Sequence, residues 1–154
     1  MLVLLSLFVL FGAMAGAAVG RFSGRGYAVA FVPFAATAIW ALLNTGRAFT
    51  ATVVQHHTWV SVLGLDLAFR FDPLAWIMTL VVSGVGAAIV IYCAFYFPPN
   101  AAGRARFAAT FTFFGGSMLG LVWSNHALMI YTFWELTSVF SFLLIGHHYR
   151  SRAA

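Results

Sequence analysis

Long apolar runs separated by short polar segments make up most of this chain. The runs cover residues 1–20, 27–43, 74–97, 107–123 and 127–145. Each run is close to the roughly 20 residues that a helix needs to cross the hydrocarbon core of a bilayer. The pattern therefore predicts an all-α integral membrane fold with about five transmembrane helices. Because Arg21 and Arg25 follow the first run and no charge precedes it, a retained helix is favoured over a signal peptide.

The segment between the second and third runs alternates with a period of two, which is typical of a half-buried strand. Its apolar and polar sides are, respectively, Leu65, Leu67, Phe69, Phe71 and Asp66, Ala68, Arg70, Asp72. Residues 59–63 could pair with this strand across a turn at Gly64. The sequence therefore predicts a β-hairpin on the membrane surface between helices 2 and 3. Asp72 and Pro73 follow it and suit the N-cap and first position of the third helix, so we expect Asp72 to be that helix N-cap.

The composition excludes a soluble domain and indicates how the chain is oriented. Charged residues make up 7% of the sequence, whereas soluble domains carry about 25%. The net charge of +5 comes from arginine alone, since there is no lysine. Counting sides from an outside N-terminus leaves Arg47 and Arg70 outside and places the other six on the opposite side: Arg21, Arg25, Arg104, Arg106, Arg150 and Arg152. The positive-inside rule then predicts an outer-face hairpin and a cytoplasmic C-terminus. Scattered arginine pairs do not suit nucleic-acid binding.

Metal and cofactor chemistry find little support in the sequence. His56–His57 and His147–His148 could supply metal ligands, but no third ligand is spaced to join either pair. Cys93 is the chain's one cysteine and lies within an apolar run, where a small buried hydrophobe is the simpler interpretation. Haem would require histidines within the helices, so we expect no metal and no cofactor. Quinone binding stays open.

One carboxylate, Glu135, lies near the centre of the fifth apolar run. A charge at that depth costs on the order of 2.5–3.5 kcal/mol on insertion scales, so the default interpretation is a site on an ion or proton path. Thr132 and Ser138 lie three residues to either side, on the same helix face, and form a supporting polar face. Three further residues are expected to continue this stripe as packing: Leu128, Val139 and Phe142. The alternative is a protonated glutamate that bonds a neighbouring helix.

Three passages carry a resemblance to a known family: residues 63–72, residues 84–97, and residues 118–122 followed by 133–147. The chain resembles the N-terminal part of the ion-translocating membrane subunits shared by respiratory complex I and the multi-subunit, Mrp-type Na⁺/H⁺ antiporters. It looks most like the A-type subunit of those antiporters, which is similar to complex I chain 5. The resemblance implies that residues 1–72 are the N-terminal helices and hairpin, and that residues 73–154 begin the proton-translocating domain.

The same resemblance implies a function. Glu135 corresponds to the family's key acidic residue of the fifth helix, which pairs with a lysine of a later helix during proton movement. We therefore expect a transporter rather than an enzyme: a cell-membrane subunit of a cation (Na⁺)/proton antiporter, whose partners are the other subunits. Family members have many more helices, so we expect a C-terminal truncation of a longer product. The two alternatives are a membrane-arm subunit of a complex I-type oxidoreductase, or a fragment with only a structural role.

Overall fold

A computed structural model describes residues 1–22, 26–50, 52–60, 65–98 and 103–146 of the 154-residue chain. The helices and strands, in chain order, are α1 (Leu2–Phe22), α2 (Tyr27–Leu43), α3 (Thr45–Thr50), β1 (Val53–Val60), β2 (Leu65–Phe71), α4 (Pro73–Tyr96), α5 (Arg104–Trp123) and α6 (Ala127–Ile145). By length and composition, α1, α4, α5 and α6 can each cross a membrane, and α2 is a shorter apolar helix of 17 residues. The predicted membrane-helix fold with a hairpin between the second and third long helices is confirmed.

Helix α5 lies at the centre of the bundle and packs against α1, α4 and α6. Its glycines allow this close approach, because aromatic rings occupy the space that a side chain would need. The ring of Phe34, from α2, fills the positions where Cβ atoms on Gly86 of α4 and Gly115 of α5 would lie. On the α1 side, a Cβ on Gly16 would be 3.2 Å from Ala109. Helix α5 therefore meets α4 through the Phe34 ring that lies on a glycine of each helix, and it meets α1 through small residues.

The hairpin closes one end of the bundle. β1 and β2 are antiparallel, with Val53 opposite Phe71. Phe69 and Phe71 are buried while Arg70 is exposed, so the predicted alternation places β2's aromatic side on the helices. The turn between α5 and α6 is fixed to the same strand, because the Asn125 N–H donates to the Ala68 carbonyl at 2.8 Å. The hairpin therefore determines where α6 begins.

The opposite end is closed by aromatic side chains and carries arginines. The Tyr27 ring stacks on Phe97, with centroids 6.4 Å apart, and Phe97 lies 5.2 Å from Phe107. Arg104 is buried in the first turn of α5, and Arg106 is exposed beside it. Arg104 and Arg106 therefore lie at the end of the bundle away from the hairpin.

One local prediction needs correction. β1 begins at Val53 instead of residue 59, so His56 and His57 lie within the strand, opposite Ala68 and Leu67. A short helix, α3, which the sequence did not predict, follows Leu43. Its start follows directly from α2, because the Asn44 N–H still bonds the Trp40 carbonyl.

Helix α5 begins abruptly after a glycine. Gly103 lies outside the helix, in the left-handed region at φ 83°, and Arg104 starts α5. Glycine adopts this conformation without steric cost, which permits the abrupt start of the helix. Several predictions lie outside the described residues: the turn at Gly64, the pair His147–His148, and Arg25, Arg150 and Arg152.

Candidate functional site on the exposed face of helix α6

Helix α6 contacts the rest of the described chain through one face only. The Phe133 ring packs on Gly120 of α5, and the Phe140 ring stacks on Phe113 at 5.5 Å. At the start of α6, the Met129 sulfur accepts the Ala68 N–H of β2 at 3.1 Å. These contacts fix both the rotation of α6 about its axis and its depth in the bundle.

Glu135 projects from the opposite face of α6. A helix turns by about 100° per residue, so two positions separate Phe133 and Glu135 by roughly 200°. Glu135 is exposed, and so are the residues one and two turns away on its side, Tyr131 and Phe142, the latter at 75%. Leu128 and Val139 are exposed as well. The stripe predicted to pack is therefore exposed within the described part of this chain, and only Met129 and Thr137 of α6 are buried.

The residues around Glu135 indicate which environment suits the exposed face of α6. Its neighbours on the exposed side are mostly apolar or aromatic, which suits a membrane or a protein interior and not water. A carboxylate presented to lipid at that depth would cost on the order of 2.5–3.5 kcal/mol. A protein surface that offers hydrogen-bond donors or a positive charge removes that cost. The geometry thus favours a protein-covered face around Glu135.

Thr132 and Ser138 lie on the same exposed side but are not joined to Glu135 in the described part of the chain. The Thr132 hydroxyl donates to the Leu128 carbonyl at 2.8 Å, and the Ser138 hydroxyl to the Trp134 carbonyl at 3.2 Å. Their protons are therefore used within the helix. Each oxygen keeps lone pairs that can accept a hydrogen bond from water or from a covering protein.

Asp72 does not belong to the site around Glu135. It caps helix α4 at the hairpin end of the bundle. Its Oδ1 accepts the Ala75 N–H at 2.8 Å, and Pro73 occupies the first helical position. The other oxygen lies 3.1 Å from the Arg70 guanidinium. Among the described residues, no group of three metal-ligating side chains comes together. His126 caps α6 by accepting the Leu128 N–H on its ring nitrogen at 3.3 Å.

One buried polar contact had no sequence signal. The Trp123 indole N–H of α5 donates to the Thr79 hydroxyl of α4 at 2.8 Å, and that hydroxyl donates to the Ala75 carbonyl. All three residues are buried. Only the tertiary packing of α4 on α5 brings this pair together, and it adds a satisfied hydrogen bond to an otherwise apolar contact.

Comparison with known proteins gives the same class of fold. Residues 59–108 match the family model described as NADH-ubiquinone oxidoreductase (complex I), chain 5 N-terminus. The fold also resembles a chain of the Mrp complex from Dietzia sp. DQ12-45-1b, with a TM-score of 0.78 and 26% identity, over 93% of this chain and 15% of that one. The chain is therefore a multi-pass membrane protein whose fold is similar to that of a chain of the Mrp complex.

Two curated relatives make the similarity more particular. The chain is 40% identical over 96 residues to a protein of Rhizobium meliloti (strain 1021) named as a K⁺/H⁺ antiporter A/B subunit, covering 62% of this chain and 10% of that protein. It is 41% identical over 91 residues to antiporter subunit mnhA2 of Staphylococcus haemolyticus (strain JCSC1435), covering 59% and 11%. These comparisons confirm the resemblance to the N-terminal part of the A-type subunit of Mrp antiporters. The chain spans about a tenth of the length of these relatives.

Proposed function

We propose that this chain forms the N-terminal part of a membrane subunit of a multi-subunit cation/proton antiporter, and that Glu135 lies on its proton path. The observation that carries the proposal is the position of Glu135, at mid-span on the face of α6 opposite its contact with α5. A carboxylate in that position can bind and release a proton near the middle of the membrane, where a proton path needs such a group. The relatives named as antiporter subunits support the assignment.

The mechanism needs a cation opposite Glu135, and the described residues place none there. The sequence has no lysine. The described arginines of the helices lie at the ends of the bundle: Arg21, Arg47, Arg104 and Arg106. We therefore assign the partner charge to protein outside these 154 residues, and the resemblance implies a lysine. An approaching cation stabilises an ionised carboxylate and a receding one favours its protonated form. Movement of that lysine would then release and load the proton on Glu135.

The membrane orientation follows from the two ends of the bundle. We propose that the hairpin end, with the N-terminus, faces outward, and that the Arg104–Arg106 end faces the cytoplasm of the cell membrane. This orientation places the start of α5 and the end of α1 on the positively charged side. The other antiporter subunits are the proposed partners. Na⁺ is the proposed exchanged cation, and K⁺, which appears in the name of the Rhizobium meliloti relative, is the alternative.

The test is complementation of a strain that lacks the native gene product, with wild type, Glu135→Gln and Ser138→Ala compared at equal membrane levels. We expect Glu135→Gln to abolish growth in high salt at alkaline pH, because the amide cannot carry a proton. Ser138→Ala should retain most growth, since the Ser138 proton is used within α6. Cation-induced proton movement in everted vesicles, measured with Na⁺ and with K⁺, identifies the exchanged ion. Wild-type growth of Glu135→Gln would contradict the proposed role.

The complex I alternative has its own support in the name of the matching family model. It predicts that loss of the gene product abolishes NADH-driven quinone reduction in the membranes and leaves cation/proton exchange intact. The antiporter proposal predicts the reverse. Measuring both activities on the same membrane preparation separates the two functions.

A further inference from the structure

The face of α6 that carries Glu135 has most of its hydroxyl groups on one side of the carboxylate. A helix turns by about 100° per residue, so each adjacent turn places two residues within roughly 60° of Glu135. Toward the hairpin end these are Tyr131 and Thr132, which both carry a hydroxyl. Toward the other end they are Ser138 and the apolar Val139. The hydrogen-bonding groups of this face are therefore concentrated between Glu135 and the hairpin.

Tyr131 is the one of these three hydroxyl residues whose proton is not already used within α6. The Thr132 hydroxyl donates to the Leu128 carbonyl at 2.8 Å, and the Ser138 hydroxyl donates to the Trp134 carbonyl at 3.2 Å. The Tyr131 side chain is 58% exposed. Among the described residues its ring lies 6.4 Å from the Trp134 ring, between centroids, and its hydroxyl forms no hydrogen bond. The phenol therefore has both a proton to donate and lone pairs to accept one.

The direction of the side chains places the phenol between Glu135 and the hairpin. Side chains of a helix lean toward its N-terminus, and α6 begins beside β2, where the Met129 sulfur accepts the Ala68 N–H. The Glu135 carboxylate therefore leans over the turn that contains Tyr131. At a rise of about 1.5 Å per residue, the two residues are about 6 Å apart along the helix axis. One water that bonds both polar groups can bridge such a separation.

We propose that Tyr131 relays the proton between Glu135 and the hairpin end of the bundle. The relay depends on the proposed role of Glu135, and it adds a second residue and a direction to that path. The step moves one proton and no electrons. The Glu135 carboxyl gives its proton to the phenol oxygen across a bridging water, while the phenol O–H gives its own proton to the next acceptor toward the hairpin. The phenol is neutral before and after the step, Glu135 becomes a carboxylate, and the reverse order loads it.

Glu135 is the titratable group that shares this face with Tyr131 in the described part of the chain. The other described charged or titratable side chains on the elements that contact α6 are distant or already paired: Arg104 and Arg106 at the far end of α5, the ion pair of Arg70 with Asp72 on the hairpin side, and His126, whose ring accepts the Leu128 N–H. A pH dependence that changes when Tyr131 is altered is therefore assigned to the phenol and Glu135.

The experiment measures cation-driven proton exchange by the native assembly reconstituted in liposomes, for wild type, Tyr131→Phe, Tyr92→Phe and Glu135→Gln. Tyr131→Phe removes only the hydroxyl of an exposed ring, so the fold is preserved. We expect exchange to fall about tenfold. This is less than the roughly 10²–10⁴-fold that a positioned acid–base group contributes, because water partly replaces the phenol. Tyr92→Phe is the matched control, since Tyr92 is 60% exposed on α4, and it should keep the wild-type rate.

A fluorinated tyrosine at position 131 separates a relay from a packing role. 3-Fluorotyrosine has nearly the size of tyrosine, but its phenol is more acidic. In a relay, exchange stops at alkaline pH where the phenol ionises, so the alkaline limb of the pH profile should move to lower pH. A phenol with only a structural role would leave that limb where it is.

The outcomes distinguish the relay from the proposed function. Loss of exchange in Glu135→Gln with a wild-type rate in Tyr131→Phe would overturn the relay and leave the proposed function standing. Wild-type exchange in Glu135→Gln would overturn both. Equal losses in Tyr131→Phe and Tyr92→Phe, or an unmoved alkaline limb with 3-fluorotyrosine, would also overturn the relay.

Discussion

The contact that fixes the rotation of α6, and with it the direction of Glu135, is the packing of Phe133 on Gly120. A Cβ added at Gly120 would overlap three carbons of the Phe133 ring. Gly120→Ala should therefore push α6 away from α5. Overpacking of this kind costs typically about 1–3 kcal/mol.

Gly84→Ala is the matched control, because a Cβ at Gly84 meets nothing within 4 Å. Both substitutions are glycine to alanine inside a membrane helix, so both gain the same helix propensity of about 1 kcal/mol. The difference between them isolates the clash. We expect Gly120→Ala to be less stable than Gly84→Ala by about 2 kcal/mol, equivalent to a midpoint about 4–8 °C lower for a chain of this size.

The assay is thermal unfolding in detergent. The tagged protein is heated to a series of temperatures, and the folded fraction at each is measured by size-exclusion chromatography. Phe133→Leu, which removes two of the three overlapping ring carbons, Cε1 and Cζ, completes a double-mutant cycle. In that background Gly120→Ala should cost little. Equal midpoints for Gly120→Ala and Gly84→Ala, or an undiminished cost of Gly120→Ala beside Phe133→Leu, would refute the assigned contact.

Substitutions at three further positions, Asp72, Thr79 and Phe34, test the packing that supports the site. Asp72→Ala should destabilise the protein by about 1 kcal/mol through loss of the N-cap, and Asp72→Asn should cost less; thermal midpoints check both. Thr79→Val should cost about 1–3 kcal/mol because it leaves the buried Trp123 indole N–H without its acceptor, whereas the exposed Thr132→Val should cost little. Phe34→Ala should cost about 3–5 kcal/mol, the largest effect of the three, because the ring fills the space between two helices.

The sequence was sufficient for the long helices and for β2, because each carries a strong local signal. Apolar runs of membrane length define the helices, and the alternation ending at Phe71 defines the strand. The start of β1 was harder to predict from the sequence, because residues 53–57 are two valines followed by three polar residues and show no alternation. α3 has only six residues and no apolar run, so its existence depends on the end of α2 and not on its own pattern.

The site itself was predictable in part. Helical spacing predicts that Thr132 and Ser138 share the side of Glu135, and all three residues are exposed. Which face of α6 would pack was not predictable, because Gly120 and Phe133 meet only through tertiary packing. The stripe through Leu128 and Phe142 was expected to pack and is exposed within this chain. A hydropathy pattern that is apolar on all sides of a helix cannot distinguish the face that meets α5 from one that meets protein outside the chain.

Proton exchange by the purified assembly in liposomes tests directly whether the proton path passes through Glu135. Internal pH is followed with a trapped dye after a Na⁺ or K⁺ step, for wild type, Glu135→Gln and Glu135→Asp. We expect loss of exchange in Glu135→Gln and partial activity in Glu135→Asp, which keeps a proton-binding carboxyl on a shorter side chain. Exchange in Glu135→Gln at the wild-type rate would show that the proton path does not pass through this carboxylate.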